Sequence, residues 1–251
     1  MKNIIYILLV LTSFGFAQNN QLFEKANTLY NNEQYNEAIL VYDQILNTQQ
    51  HSVDLYFNKG NAHYKLNNIA PSIYFYEKAL QLSPNDKDVE NNIAFARNMT
   101  VDAIDIIPEA GLSKLIKNIT NTLNFDDWAK ASVILVFCFV ILFLVYYFAY
   151  TSFKKRIAFI GSLMTLFLCC VALLFAFHKY NLDKKNKPAI VFAQESKVKS
   201  EPNLRSEESF RLHEGTKVQI LDTVNSWKKI KLTDGKTGWI ASEDIKMLTD
   251  F

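Results

Sequence analysis

FYEKALQLSPN, residues 75–85, is shadowed 34 residues upstream by VYDQILNTQQH, residues 41–51. At the same offset Ala26 stands opposite Gly60, Tyr30 opposite Tyr64, Tyr35 opposite Ile69, Ala38 opposite Ser72, Tyr42 opposite Tyr76, Ile45 opposite Ala79 and Leu46 opposite Leu80. Most of these pairs match small with small or large apolar with large apolar. A fixed period of this length is what stacked helix-turn-helix units produce. Within a copy the larger residues fall at helical spacing, as in Leu22, Phe23, Ala26, Leu29 and Tyr30 and then Ala38, Ile39, Tyr42, Ile45 and Leu46. Each copy therefore predicts two helices.

The second copy, YFNKGNAHYKLNNIAPSIYFYEKALQLSPN, residues 56–85, resembles the tetratricopeptide repeat. Gly60 matches its small residue at the closest helix approach, Tyr64 its packing aromatic, Ser72 the small residue opening the contact face of the second helix, and Tyr76, Ala79 and Pro84 complete the pattern. The first copy departs at its end, with Gln50 in place of the helix-ending proline. The plainer reading is two unrelated amphipathic hairpins, and the matched positions argue against it. Two such units bury too little by themselves. The stretch DKDVENNIAFARNM, residues 86–99, continues the period through Val89, Ile93 and Ala94 and is read as a solvating cap. The expected repeat domain is 18–100.

The chain has 251 residues and a formal net charge of +2. From Gln18 to Asp127 there are 8 basic and 14 acidic residues, and from Lys179 to Phe251 there are 14 and 11. Neither half has the concentrated basic excess of a nucleic-acid surface, so no nucleic-acid partner is expected. The opening MKNIIYILLVLTSFGFA, residues 1–17, has a lysine, an apolar run and the small residues Gly15 and Ala17, which is the form of a signal peptide cleaved between Ala17 and Gln18. The alternative, an uncleaved anchor, is short for a span of about 20 residues.

Residues 131–150, ASVILVFCFVILFLVYYFAY, and 157–177, IAFIGSLMTLFLCCVALLFAF, hold no charge, and Lys154, Lys155 and Arg156 stand between them. Each run as a helix reaches about 30 Å, the thickness of a bilayer core. One continuous buried helix would place three cations in lipid at about 3 kcal/mol each. Two transmembrane helices joined by a loop at 151–156 avoid that cost and return the chain to the side it left. The flanks then share a compartment. The signal peptide makes that compartment the periplasm, with the basic loop cytoplasmic, in the bacterial inner membrane. Trp128 at one border and Tyr146, Tyr147 and Tyr150 at the other suit interfacial belts. In the linker 101–130, GLSKLIKNITNTL aligns Leu112, Leu115, Ile116, Ile119 and Leu123 on one helical face. That face either lies on membrane lipid or packs under the repeats.

After a second linker, 178–188, five short alternating runs follow: AIVFA, KVQIL, KKIKL, TGWI and IKML. Asp234-Gly235 between two of them signals a hairpin. A small all-β barrel over 189–251 is expected. The stretch resembles the bacterial SH3-like domain, with Gly215-Thr216, Trp227, Gly235 and Gly238-Trp239 in the places of its characteristic residues, although Glu207 and Glu208 replace the usual small residues of its first loop.

His51, His63, His178 and His213 fall in separate segments without metal-ligand spacing, and Cys138, Cys169 and Cys170 all lie within the apolar runs. Cys169-Cys170 reads as a polarizable apolar pair before a soft-metal site. No phosphate loop, nucleophile elbow or paired carboxylates appear. No enzyme, cofactor or metal is expected. Binding remains. In tetratricopeptide arrays the first helices of successive units line a groove, which here implies Phe23, Asn27, Tyr30, Asn31, Phe57, Asn61, Tyr64 and Lys65 as a surface for an extended peptide. Tyr30 and Tyr64 serve equally well as core. The family's carboxylate clamp is not reproduced, because Phe23 and Asp88 stand where cations belong. Trp227 and Trp239 read as barrel core before a ligand platform, although related modules of exported proteins bind cell-wall peptides.

The order of parts, a multidomain membrane protein with a signal peptide, an α-helical tetratricopeptide stack, a two-helix transmembrane hairpin and an SH3-like barrel, resembles the E-type proteins of the aerotolerance (Bat) operons of Bacteroides-like bacteria. That resemblance implies a scaffold beside von Willebrand factor A-type membrane proteins and a MoxR-type ATPase, in an envelope complex linked to stress or oxygen tolerance. Its rival is a cell-wall sensor whose SH3-like domain binds peptidoglycan.

Overall fold

The computed structural model describes residues 19–104 and 111–248. The expected signal peptide and its cleavage site, Ala17 and Gln18, lie outside the described residues. The chain divides into two units, one formed by both flanks, up to Ile106 and from Lys187 onwards, and the other by Ile107–Asn186.

The first flank contains helices α1 (19–31), α2 (Tyr35–Leu46), α3 (Val53–Lys65), α4 (Ile69–Leu82) and α5 (Lys87–Arg97). The 34-residue period extends to the backbone. Glu33 and Asn67, one period apart, both take positive φ, 63° and 59°, where the first helix of each unit gives way to the second. Side-chain caps begin α3 and α5: Ser52 Oγ accepts from the Leu55 amide, and Asp86 accepts from the amides of Asp88 and Val89. Ala26, Ala38, Val41, Tyr42, Ile45 and Leu55 form the core of the first unit, and α3, α4 and α5 share the second, with Ile73, Tyr76, Ala79, Val89 and Ile93 fully enclosed. Gly60 is the closest approach. A Cβ there would lie 2.7 Å from Cδ1 of the Tyr76 ring, so the small residue admits the aromatic one.

The second flank forms a single antiparallel sheet of seven strands rather than the five expected. They are β1 (Pro188–Val191), β2 (Glu195–Lys199), β3 (Glu208–His213), β4 (Lys217–Val224), β5 (Trp227–Lys231), β6 (Thr237–Ala241) and β7 (Ile245–Met247), in the order β3-β2-β6-β5-β4-β1-β7. β2 and β3 escape a reading by apolar runs because each buries only alternate side chains, Ser196 and Val198 in one and Leu212 in the other. Leu212 near one edge and Ile245 at the other join the same aliphatic core as Val198, Val218, Ile230 and Ile240. The sheet must therefore curl around that core. The β5–β6 hairpin turns at Gly235, φ 87°, while the Asp234 carboxylate accepts from the Lys236 amide.

The middle unit contains α6 (Leu112–Thr120), α7 (Phe125–Phe148) and α8 (Ser152–Lys185). α7 and α8 are long and apolar enough to cross a membrane. They form an antiparallel pair, with Tyr146 and Phe159 rings 5.4 Å apart near the connecting turn and Trp128 and Phe175 rings 5.1 Å apart at the other end. The connection is shorter than the expected loop at 151–156. Only residues 149–151 lie between the helices, and Lys154, Lys155 and Arg156 belong to the start of α8. The same helix runs on through most of the expected linker 178–188, where Lys179 pairs with Asp183 at 3.0 Å, one turn further along.

Candidate binding surfaces

The eight residues expected to line a groove do not share one surface. Tyr30, Asn61, Tyr64 and Lys65 do border one hollow of about 220 Å³, together with Tyr76, Asn92 and Phe95. Phe23 borders a different hollow, of about 640 Å³, beside Ile45, His51 and Leu55. Phe57 packs on the Tyr76 ring at 6.0 Å, and Asn31 is exposed at the end of α1.

Two of the asparagines, Asn27 and Asn61, bond within the repeats. Asn27 Oδ1 accepts from the Tyr42 hydroxyl at 2.7 Å and from Asn58 Nδ2 at 3.0 Å. One period later, Asn61 Oδ1 accepts from the Tyr76 hydroxyl at 2.6 Å and from Asn92 Nδ2 at 2.8 Å. Each carbonyl thus joins the second helix of its own unit to the first helix of the next. Burial foremost raises both tyrosine pKa values, so these hydroxyls remain donors. The Asn27 and Asn61 carbonyl oxygens thus already hold two hydrogen bonds each, while Asn61 borders the hollow. The rim of the hollow is aromatic and basic: Lys65 and Phe95 are exposed, Phe95 at 62%, and the half-buried Tyr64 also packs on the core of the second repeat. Phe95 was not singled out from the sequence, although it breaks the solvated pattern of α5.

The opposite face of the repeats carries a row of flat rings. His51 stacks on Tyr56, Tyr56 on Phe75, and Phe75 on His63, with centroids 5.4–6.2 Å apart and planes within 19°. Lys59 is buried, lies 4.1 Å from the Phe75 centroid and pairs with Asp43. Burial lowers its pKa, and the Asp43 contact opposes that shift. Burial, then the Lys59 charge, pulls His63 down to about 4.

The sheet docks on α4. Ile190 and Leu248 complete the core of the second repeat, Tyr74 meets the Phe192 ring at 5.8 Å, and Lys246 lies 4.6 Å from the Tyr74 centroid. The Glu77 side chain, 8% exposed, pairs with both Arg97 and Lys217 at 2.7 Å. Gly215, φ 86°, sits so close that a Cβ would lie 2.7 Å from Thr100 and 3.0 Å from Ile69 and Ile73. Asp102, expected in a juxtamembrane linker, instead accepts from the His213 amide, the His213 ring and the Thr216 hydroxyl. Burial raises its pKa, but these hydrogen bonds more than compensate and hold the carboxyl below its ordinary value. The trio has the residue types of a hydrolytic triad without its wiring. The hydroxyl donates to the carboxylate and not to the imidazole, so nothing activates it.

Trp227 and Trp239 are half-buried and stand outside the aliphatic core, which corrects their assignment to it. Strand alternation explains this: Gly238 and Ile240 are buried, so Trp239 between them points to the other face. Lys229 pairs with Trp239 across β5–β6, and Trp227 pairs with Ala241. The two indoles are thus diagonal neighbours on the outer face, with Lys229 Nζ 5.9 Å from the Trp239 centroid.

Among the described residues no group of three or more His, Cys, Asp or Glu side chains is placed to hold a metal ion. Comparison with protein families matches residues 53–86 to the tetratricopeptide repeat and residues 196–246 to the bacterial SH3 domain. A search of curated proteins finds no match for the chain. Both matched modules typically bind rather than catalyse. Strand β1, which carries Ile190 into the repeat core, lies outside the matched stretch.

Proposed function

We propose that this chain is a non-enzymatic membrane scaffold whose two flanks form one binding platform, held on a single side of the membrane by the α7–α8 hairpin. One observation carries the reading: the repeats and the sheet share a core although the two apolar helices separate them in sequence. Flanks that fold together occupy one compartment, and an even number of spans satisfies this. The opening lysine and apolar run of the chain support export of the platform to the periplasm, leaving Lys154, Lys155 and Arg156 at the cytoplasmic turn.

The hollow with Tyr64, Lys65 and Phe95 suits an extended peptide, since aromatic faces bury area and the amine selects for acidic or carboxyl groups. The order of parts supports placing this platform in a Bat-type envelope complex, beside von Willebrand factor A-type proteins and a MoxR-type ATPase. The test is in-cell crosslinking with a membrane-impermeant reagent and identification of the attached proteins. Recovery of von Willebrand A-type membrane proteins, lost with Tyr64→Ala and Lys65→Glu together, is the expected result. Recovery of unrelated proteins alone would refute the complex.

The outer face of Trp227, Lys229 and Trp239 favours a second reading, in which the sheet holds peptidoglycan and the repeats report it. In that case the full chain in detergent cosediments with purified cell wall, and Trp239→Ala abolishes this. Unchanged sedimentation of the variant would remove this reading.

A further inference from the structure

We infer that α6 is a membrane-surface helix, seated with its apolar side in the headgroup–acyl boundary of the leaflet where α7 begins and α8 ends. The inference rests on the hairpin crossing the membrane, as proposed above. Four side chains of α6, Leu112, Leu115, Ile116 and Ile119, are exposed, Leu112 at 76% and Leu115 at 61%. At 100° per residue they fall within an arc of roughly 100°, while Lys114, Lys117 and Asn118 occupy the opposite side; Leu123, expected on the same face, lies beyond the end of the helix and is exposed. Such an apolar stripe opposite lysine and amide groups is what an interfacial helix requires.

The fastening of α6 identifies lipid as its occupant. The Trp128 indole donates to the Thr120 carbonyl at 3.1 Å, and Lys179 Nζ donates to Asn121 at 3.1 Å. Phe125 and Tyr180 rings meet at 5.8 Å alongside. The end of α6 is therefore tied to the first turn of α7 and to the last turns of α8. The first uncharged run begins at Ala131 and the second ends at Phe177, so Trp128, Lys179 and Tyr180 lie within a turn of the expected hydrocarbon border and Phe125 within two. A helix tied at that depth with an open apolar face meets the acyl boundary.

The experiment uses the full chain with Cys138, Cys169 and Cys170 replaced by alanine, reconstituted in phosphatidylethanolamine–phosphatidylglycerol vesicles. Nitroxides are attached at single cysteines, Leu115→Cys, Ile116→Cys, Ile119→Cys, Lys114→Cys and Asn118→Cys, with Leu144→Cys and Phe167→Cys as references in the hairpin. The expected result is relaxation by oxygen several-fold above that by a polar nickel chelate at 115, 116 and 119, reversed at 114 and 118. Low access to both reagents at 115, 116 and 119 means packing on protein, whether a second copy or the repeats, and overturns the inference. Free access to the chelate at these positions overturns it too. If 144 and 167 remain oxygen-rich in either case, only the surface helix fails; if they are open to the chelate, the hairpin itself fails. A phospholipid with a diazirine near its headgroup gives an independent result on the unmodified chain. Adducts are expected at Leu112, Leu115, Ile116 and Ile119, and their absence from the 112–123 peptide would overturn the inference.

Discussion

Asn61 illustrates how little of a residue's role its type reveals. An amide in a repeat groove offers a donor and an acceptor to a ligand, yet its carbonyl oxygen already accepts from Tyr76 and Asn92. Asn61→Ala leaves a buried tyrosine hydroxyl without its acceptor, which costs about 1–3 kcal/mol. Faster hydrogen exchange in α3, α4 and α5 is the expected outcome, whereas wild-type protection with weakened partner capture would return Asn61 to the ligand side. His63 makes a second residue-level prediction. Burial lowers its pKa from 6.5 to about 4, so between those values the unfolded chain binds a proton that the folded chain refuses. Stability from this residue is complete above pH 6.5 and falls as the pH drops toward 4. The loss is about 3 kcal/mol across that window. His63→Gln should flatten the pH dependence of exchange protection in α3 and α4, and an unchanged slope would mean that His63 titrates normally in the fold.

At the scale of elements, α4 is where sequence reasoning stopped short. Tyr74, Phe75, Glu77 and Lys78 are buried in addition to the expected Ser72, Tyr76 and Ala79, so the helix is enclosed on every side. The run Ile73-Tyr74-Phe75-Tyr76 hinted at this, because a helix apolar all round is a buried one. The 34-residue period was legible because it repeats local packing, and the hairpin at Asp234-Gly235 because one turn dictates it. Docking of the sheet on α4 was not legible, since its partners, such as Glu77 with Lys217 and Asp102 with His213, are more than 100 residues apart and obey no period. The strands β2 and β3 were missed for a related reason, as alternate burial leaves their charged faces dominant. Gly215→Val tests the junction itself. A branched side chain meets Thr100, Ile69 and Ile73 in a backbone conformation, φ 86°, that it resists, at a cost of about 2–4 kcal/mol. The expected outcome is loss of exchange protection in α4 and in β1, with β5 and β6 still protected. Equal loss throughout the sheet would mean that the sheet does not fold independently of the repeats, and no loss would mean that the junction tolerates the added bulk.

For the whole molecule, the shared core of the flanks and the two apolar helices constrain one another. If α7 and α8 both cross the bilayer, the platform stays intact on one side; if one crosses, β1 and α4 are separated by a membrane and the core containing Ile190 and Ile73 is lost. At about 25 cal/mol per Å² of apolar surface, exposing such a core costs several kcal/mol, before counting the Glu77 and Asp102 contacts. The proposed direction rests on the opening lysine and apolar run, because Lys179, Lys184, Lys185 and Lys187 after the second apolar run balance the basic turn. Export of the platform would leave Lys154, Lys155 and Arg156 at a cytoplasmic turn. Protease added to spheroplasts should therefore remove the repeats and the sheet together. A cysteine introduced as Thr151→Cys, with the native cysteines replaced, should resist an impermeant maleimide until the membrane is opened. Labelling of residue 151 in intact spheroplasts would reverse the orientation while sparing the hairpin. Protection of one flank with digestion of the other would break the hairpin, and the common core of α4 and β1 could not then persist in the membrane-bound chain.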